Sequence, residues 1–130
     1  MPVAVGKPFA INYGGTENPL EVNITSVTRC GQNLVLGVRL VTGPTYSEND
    51  SWASSMGVEY IDKNGVTRTA SEAYDSSCVD YDEGLPYSTE RKPSRTYEGK
   101  VLLGLPADQA TTLQLDGSDG VTRTLDVTGK

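Results

Sequence analysis

Leu20-Glu21-Val22-Asn23-Ile24-Thr25 and, beyond Gly31-Gln32-Asn33, Leu34-Val35-Leu36-Gly37-Val38-Arg39-Leu40 are the residues on which the fold turns. In each run the apolar side chains recur at every second position, the period at which an extended chain sends its side chains to one face. A helix would need a repeat of three or four. Gly31-Gln32-Asn33 is short and turn-like, so the two runs read as an antiparallel hairpin with Cys30 just before its turn.

The same period continues outward from this hairpin. Met56, Val58 and Tyr60 share a face, and Asp62-Lys63-Asn64-Gly65 separates them from Val66-Thr67-Arg68-Thr69. Asn-Gly between extended runs is a strong hairpin signal, because both residues tolerate positive φ. Tyr97, Gly99, Val101, Leu103 and Leu105 alternate up to Pro106; Leu113 and Leu115 precede the turn Asp116-Gly117-Ser118-Asp119-Gly120; Val121, Arg123, Leu125 and Val127 close the chain. A further strand falls within 3–13, at an edge or bend, since Pro8 cannot donate a ladder hydrogen bond. The expected fold is an all-β antiparallel sandwich of about seven or eight strands, with Val22, Ile24, Leu36, Val38, Val101, Leu103 and Leu125 between the sheets. With 130 residues and 36% hydrophobic content, the chain reads as one domain, 1–130.

Two long polar segments, 42–55 and 70–96, interrupt the pattern, and stretches of that length in a compact domain commonly carry binding. Trp52, Tyr74, Tyr81 and Tyr87 fall within them and are the candidate ligand-binding residues, because an aromatic ring offers contact area at low entropic cost. The alternative for Trp52 is a plug at one end of the sandwich. Segment 70–96 has few apolar residues to hold it, and a bond between Cys30 and Cys78, the only cysteines, is its expected anchor. Such a disulfide points to an oxidising compartment, the alternative being two buried reduced thiols in a cytosolic protein.

Composition excludes several kinds of chemistry. There is no His, so a Ser-His-Asp or Cys-His arrangement lacks its base, and zinc lacks its commonest nitrogen ligand. Asp80, Asp82 and Glu83 offer oxygen atoms suited to Ca²⁺, but the spacing is not that of an EF-hand, and no metal or cofactor is expected. The formal net charge of −6 disfavours nucleic acid, and Arg91, Lys92 and Arg95 read as a solvated loop rather than a phosphate-binding patch. Asn23-Ile24-Thr25 and Asn49-Asp50-Ser51 match the glycosylation tripeptide, a pattern short enough to arise by chance. No run is apolar for the roughly 18 residues that a membrane span needs, and Met1-Pro2-Val3-Ala4 carries no signal-peptide pattern, so an exported parent would have had its targeting segment removed.

Val5-Gly6-Lys7, the run from Leu20 through Thr25-Ser26-Val27, the core strand 33–40, Tyr60-Ile61-Asp62-Lys63-Asn64-Gly65, and Thr96-Tyr97-Glu98-Gly99-Lys100-Val101 leading to Leu105-Pro106 follow one another in a familiar order. In that order they resemble the immunoglobulin-like, telokin-like domains of secreted mycobacterial antigens and of Gram-positive exported lipoproteins. Two places depart from that pattern: Ser94-Arg95 stands where a Pro-Gly-type turn is usual, and the core strand runs into Val41-Thr42-Gly43-Pro44 rather than an Asn-containing turn. The resemblance implies an immunoglobulin-like sandwich in an exported actinobacterial protein, secreted or lipid-anchored at the cell surface, and attaches no catalytic residue to it. The expected function is a non-catalytic extracytoplasmic module that binds a protein or cell-envelope ligand. A structural or phage-related accessory domain and a protease-inhibitor-like sandwich are the alternatives.

Overall fold

Strand β3 (Asn33–Thr42) is hydrogen-bonded on both sides, to β2 (Leu20–Cys30) and to β7 (Thr96–Gly104), and the rest of the first sheet is laid against these three. The structure, a computed structural model, describes residues 1–11, 20–47, 58–86, 90–116 and 120–130. β1 (Phe9–Ile11) extends this sheet beyond β2 and β6 (Ser71–Glu72) extends it beyond β7, giving the order β1-β2-β3-β7-β6. β4 (Glu59–Asp62), β5 (Thr67–Thr69), β8 (Ala110–Asp116) and β9 (Thr122–Asp126) form the second sheet in the order β5-β4-β8-β9. Every strand pair is antiparallel.

These orders are those of an immunoglobulin-like sandwich. β2-β3-β7-β6 occupies the places of strands A-B-E-D, and β5-β4-β8-β9 those of C′-C-F-G. The expected all-β fold is therefore present. Nine strands are described where seven or eight were expected, the two-residue β6 being the smallest of them. The bridge between cysteines differs from that of antibody domains, since it does not cross between the sheets.

Periodicity sets the core. Leu34, Leu36, Val38 and Leu40 of β3 and Leu20, Val22 and Ile24 of β2 form one continuous cluster with Tyr60, Leu113, Leu115 and Leu125 of the opposite sheet and with Val127 just beyond β9. Six of the seven expected core residues are buried, while Val101 is half-buried and packs against the cluster from its rim. The register of β2 on β3 shifts between Ile24 and Ser26, where Thr25 is the extra residue of a bulge. Gly37 lies opposite this bulge: a Cβ there would collide with the Ser26 hydroxyl and sit 2.9 Å from that of Thr25. Glycine is the residue that leaves this space open.

The amino terminus closes two edges. Pro2 bridges Thr124 in parallel, with Val3 N donating to Thr124 O at 2.9 Å, so the start of the chain lies along β9. After a turn at Gly6 the chain crosses to the other sheet as β1. Arg123 spans the same gap from inside. It belongs to the inward row of β9 and is only 2% exposed, with Nη2 donating to Ala10 O at 2.9 Å and the guanidinium 5.1 Å from the centroid of the Phe9 ring. A cation over an aromatic face is attracted by the ring quadrupole.

Two substitutions test this account in urea denaturation. Leu36→Ala removes a side chain packed between the sheets and is expected to cost about 2–5 kcal/mol. Gly99→Ala places a methyl group 2.6 Å from the Leu85 backbone and is expected to cost about 1–3 kcal/mol by forcing 84–86 away from β7.

Candidate functional site

The row of side chains on the outer face of the first sheet follows from its register. Leu34 and Leu36 point inward, so Asn33 and Val35 point outward, as do their partners Cys30, Thr28 and Leu102. Cys30 is therefore on the side of the sheet away from the core. It is bonded to Cys78, with Cα atoms 5.8 Å apart, inside the range that a disulfide spans. The expected bridge is present.

This bridge carries segment 73–83 across the sheet. The segment leaves from β6, beside β7, and must pass over three strand spacings, roughly 14 Å, to reach Cys30 on β2. Val35 of β3 and Leu102 of β7 lie on that path. Both point away from the core cluster, yet they are 5% and 7% exposed. Segment 73–83, tied down at Cys30, is brought to the same face of the sheet as these two side chains.

The return of the strap is fixed at Lys100. Its Nζ lies 2.7 Å from Glu83 Oε2, and its carbonyl accepts from Leu85 N at 3.2 Å. Leu85 then tucks under the edge of β7, so close to Gly99 that no side chain could stand there. Within the strap, Asp75 O accepts from Cys78 N and Val79 N at 3.0 Å, and Asp75 Oδ1 accepts from the Ser77 amide and hydroxyl. A 3₁₀ turn, Tyr81–Glu83, follows, in which Asp80 N donates to Glu83 Oε1 at 3.2 Å.

The strap presents two of the four expected aromatic residues. Tyr81 is fully exposed at the 3₁₀ turn and Tyr74 is 80% exposed near the start of the segment. Trp52 and Tyr87 lie outside the described residues, as does the Asn49-Asp50-Ser51 tripeptide. Asp75, Asp80 and Asp82 are exposed around the tyrosines, which makes the surface acidic as well as aromatic. Glu83, read from sequence as a possible Ca²⁺ ligand, is engaged by Lys100, and among the described residues no group of three or more His, Cys, Asp or Glu is placed to hold a metal. Nor, among them, is any helix long and apolar enough to cross a membrane.

The basic cluster is the main correction. Arg91 does not belong to a solvated loop: it is 7% exposed, and its Nε donates to Pro86 O at 2.8 Å. Burial draws the guanidinium below its ordinary pKa, and the neighbouring Tyr46, to which it is hydrogen-bonded, and Tyr97 oppose the shift. Next to it, Thr42 Oγ1 donates to Lys92 O at 2.6 Å and accepts from Arg95 N at 2.9 Å, while Lys92 N donates to the Tyr97 hydroxyl at 2.8 Å. Ser94 adopts a φ of 56°, the left-handed region in which a Pro-Gly-type turn would place glycine. Residues 90–95 are thus fastened to the ends of β3 and β7, and Lys92 and Arg95 alone of the three cations face solvent. Nothing in the order of residues distinguishes Arg91 from its neighbours, because its burial involves Tyr46, from the segment after β3, and Tyr97 of β7.

Comparison with protein-family models, characterised proteins and solved structures gives no match for this chain.

Lys100 holds the Glu83 carboxyl below its ordinary value of 4.5, with help from the Asp80 amide. A depressed carboxylate pKa means that the brace is complete above the ordinary value and is lost as pH falls through the depressed one. The Asp80 amide resonance should therefore titrate with a midpoint under 4.5, and Lys100→Met should move that midpoint upward. NMR measurements between about pH 6 and 2 check both.

Proposed function

We propose that this chain is a non-catalytic binding module of an exported protein, and that the strap 73–83 is its recognition surface. The observation that carries this reading is Tyr81: a large ring wholly in solvent, on a segment braced by a disulfide at one point and an ion pair at another. An exposed aromatic on a mobile loop loses entropy on binding, whereas one held in place retains most of its contact energy. Loops on a rigid sandwich commonly carry function for this reason.

Location outside the cytoplasm fits the closed Cys30–Cys78 bond, since cytosolic thiols are kept reduced. The immunoglobulin-like strand order also suits membership of the telokin-like group that the sequence resembles. A non-catalytic role is supported by the lack of any His in the chain, which removes the usual neutral-pH base. A protein or cell-envelope component is the proposed ligand class, because the acidic surface around Tyr81 and the net charge of −6 work against nucleic acid and anionic lipid.

Binding of the labelled domain to isolated cell envelopes of the producing organism tests the reading. Tyr74→Ala/Tyr81→Ala should weaken retention by about ten-fold or more, the scale of an interface hot spot. Its thermal unfolding should match that of the parent, because neither ring belongs to the core. Equal retention of the double variant and the parent would exclude the strap as the recognition surface.

A further inference from the structure

The disulfide lies on the outer face and joins nothing that the core needs. Neither Cys30 nor Cys78 belongs to the core cluster, and both are only half-buried. Within 73–83, Cys78 N and Val79 N donate to Asp75 O and Glu83 N to Asp80 O, and at its end the chain bridges β7, Gly84 pairing with Lys100 and Leu85 N donating to Lys100 O. The strap is held to the sheet by the disulfide, by the half-exposed Glu83–Lys100 pair and by the bridge at its end, and it lies on the face to which Val35 and Leu102 point. An ion pair at that exposure contributes little on its own. The sandwich, by contrast, is closed by seven strand pairings and a continuous core that include no atom of the strap.

We propose that the Cys30–Cys78 bond is a redox-operated latch: its reduction releases strap 73–83 from the outer face and uncovers Val35 and Leu102 while the sandwich stays folded. The reductant is a dithiol. One of its thiolates attacks a sulfur of the bridge, forming a mixed disulfide and expelling the other cysteine as a thiolate, and its second thiol then displaces the remaining cysteine. Two electrons and two protons pass to Cys30 and Cys78, and the dithiol leaves as a disulfide. Neither cysteine is fully buried, and thiol–disulfide exchange needs such partial exposure. In the closed state Tyr81 is held in one place; in the open state its position is free, and an apolar pair from adjacent strands faces solvent. The latch acts whatever the strap binds, so it does not depend on the recognition role proposed above.

Chymotryptic cleavage after Tyr74 and Tyr81 reads the state of the strap, because local proteolysis follows the population of the open form. Three forms of the full chain are compared: oxidised protein; protein reduced by dithiothreitol under native conditions, with its thiols then alkylated by iodoacetamide and the reductant removed; and the double variant Cys30→Ser/Cys78→Ser. Both opened forms should be cut in the strap at least about ten-fold faster than the oxidised form and should retain a cooperative thermal transition. The serine variant keeps the test decisive if the alkyl groups themselves disturb the fold. Equal cleavage rates in all three forms would overturn the proposal. So would loss of the cooperative transition in both opened forms, or a bond that dithiothreitol leaves closed until the protein unfolds.

Discussion

The structure depends on β3 being sided: Leu34, Leu36, Val38 and Leu40 face the second sheet, and a one-residue slip would turn all four to solvent. Because β3 pairs with both β2 and β7, its register also decides which residues of those strands reach the core. The bulge at Thr25 shows how strictly this is kept. Beyond it the pairing shifts by one residue, which returns Val27 to the side of Leu36 and sends Cys30 to the outer face. Without that shift the cysteine would point toward the core, and the bridge to Cys78 would have to pass through it.

The outer face is covered by a device different from the core. Core residues are held by mutual burial, which needs many apolar side chains. Segment 73–83 has few of them and is held by a covalent bond and an ion pair on the face to which Val35 and Leu102 point. A segment fastened at a few points can keep its remaining side chains in solvent, and Tyr81 shows this in full. The same economy of attachments makes the strap separable from the fold beneath it.

Two arginines are buried in a protein whose net charge is −6, and both act as fasteners. Arg123 ties β9 to β1 through the Ala10 carbonyl and the Phe9 ring, and Arg91 ties 90–95 through the Pro86 carbonyl and Tyr46. A guanidinium suits such places because it presents several donors in a fixed plane and stacks on aromatic rings. Asp62 does comparable work in the β4–β5 hairpin, where its carboxylate accepts from Asn64 N, Val66 N and Arg68 Nε within 3.0 Å. These attachments are polar and directional, and they sit where the apolar pattern ends.

What the sequence determined by itself is whatever depends on neighbours along the chain. Alternation identified β2, β3, β7, β8 and β9 and nearly all of the expected core residues, and Asn64-Gly65 marked a real hairpin. The pairing of Cys30 with Cys78 was legible too, since two cysteines allow one bridge and 70–96 lacked another anchor. Tertiary structure alone decided the rest. The placing of the strap on the outer face, the ion pair between Glu83 and Lys100, and the burial of Arg91 all join residues far apart in the chain. Periodicity tells which side chains share a face, but it does not tell which face a distant segment will cross. That is set by the order of strands in the sheet and by the bulge that turned Cys30 outward.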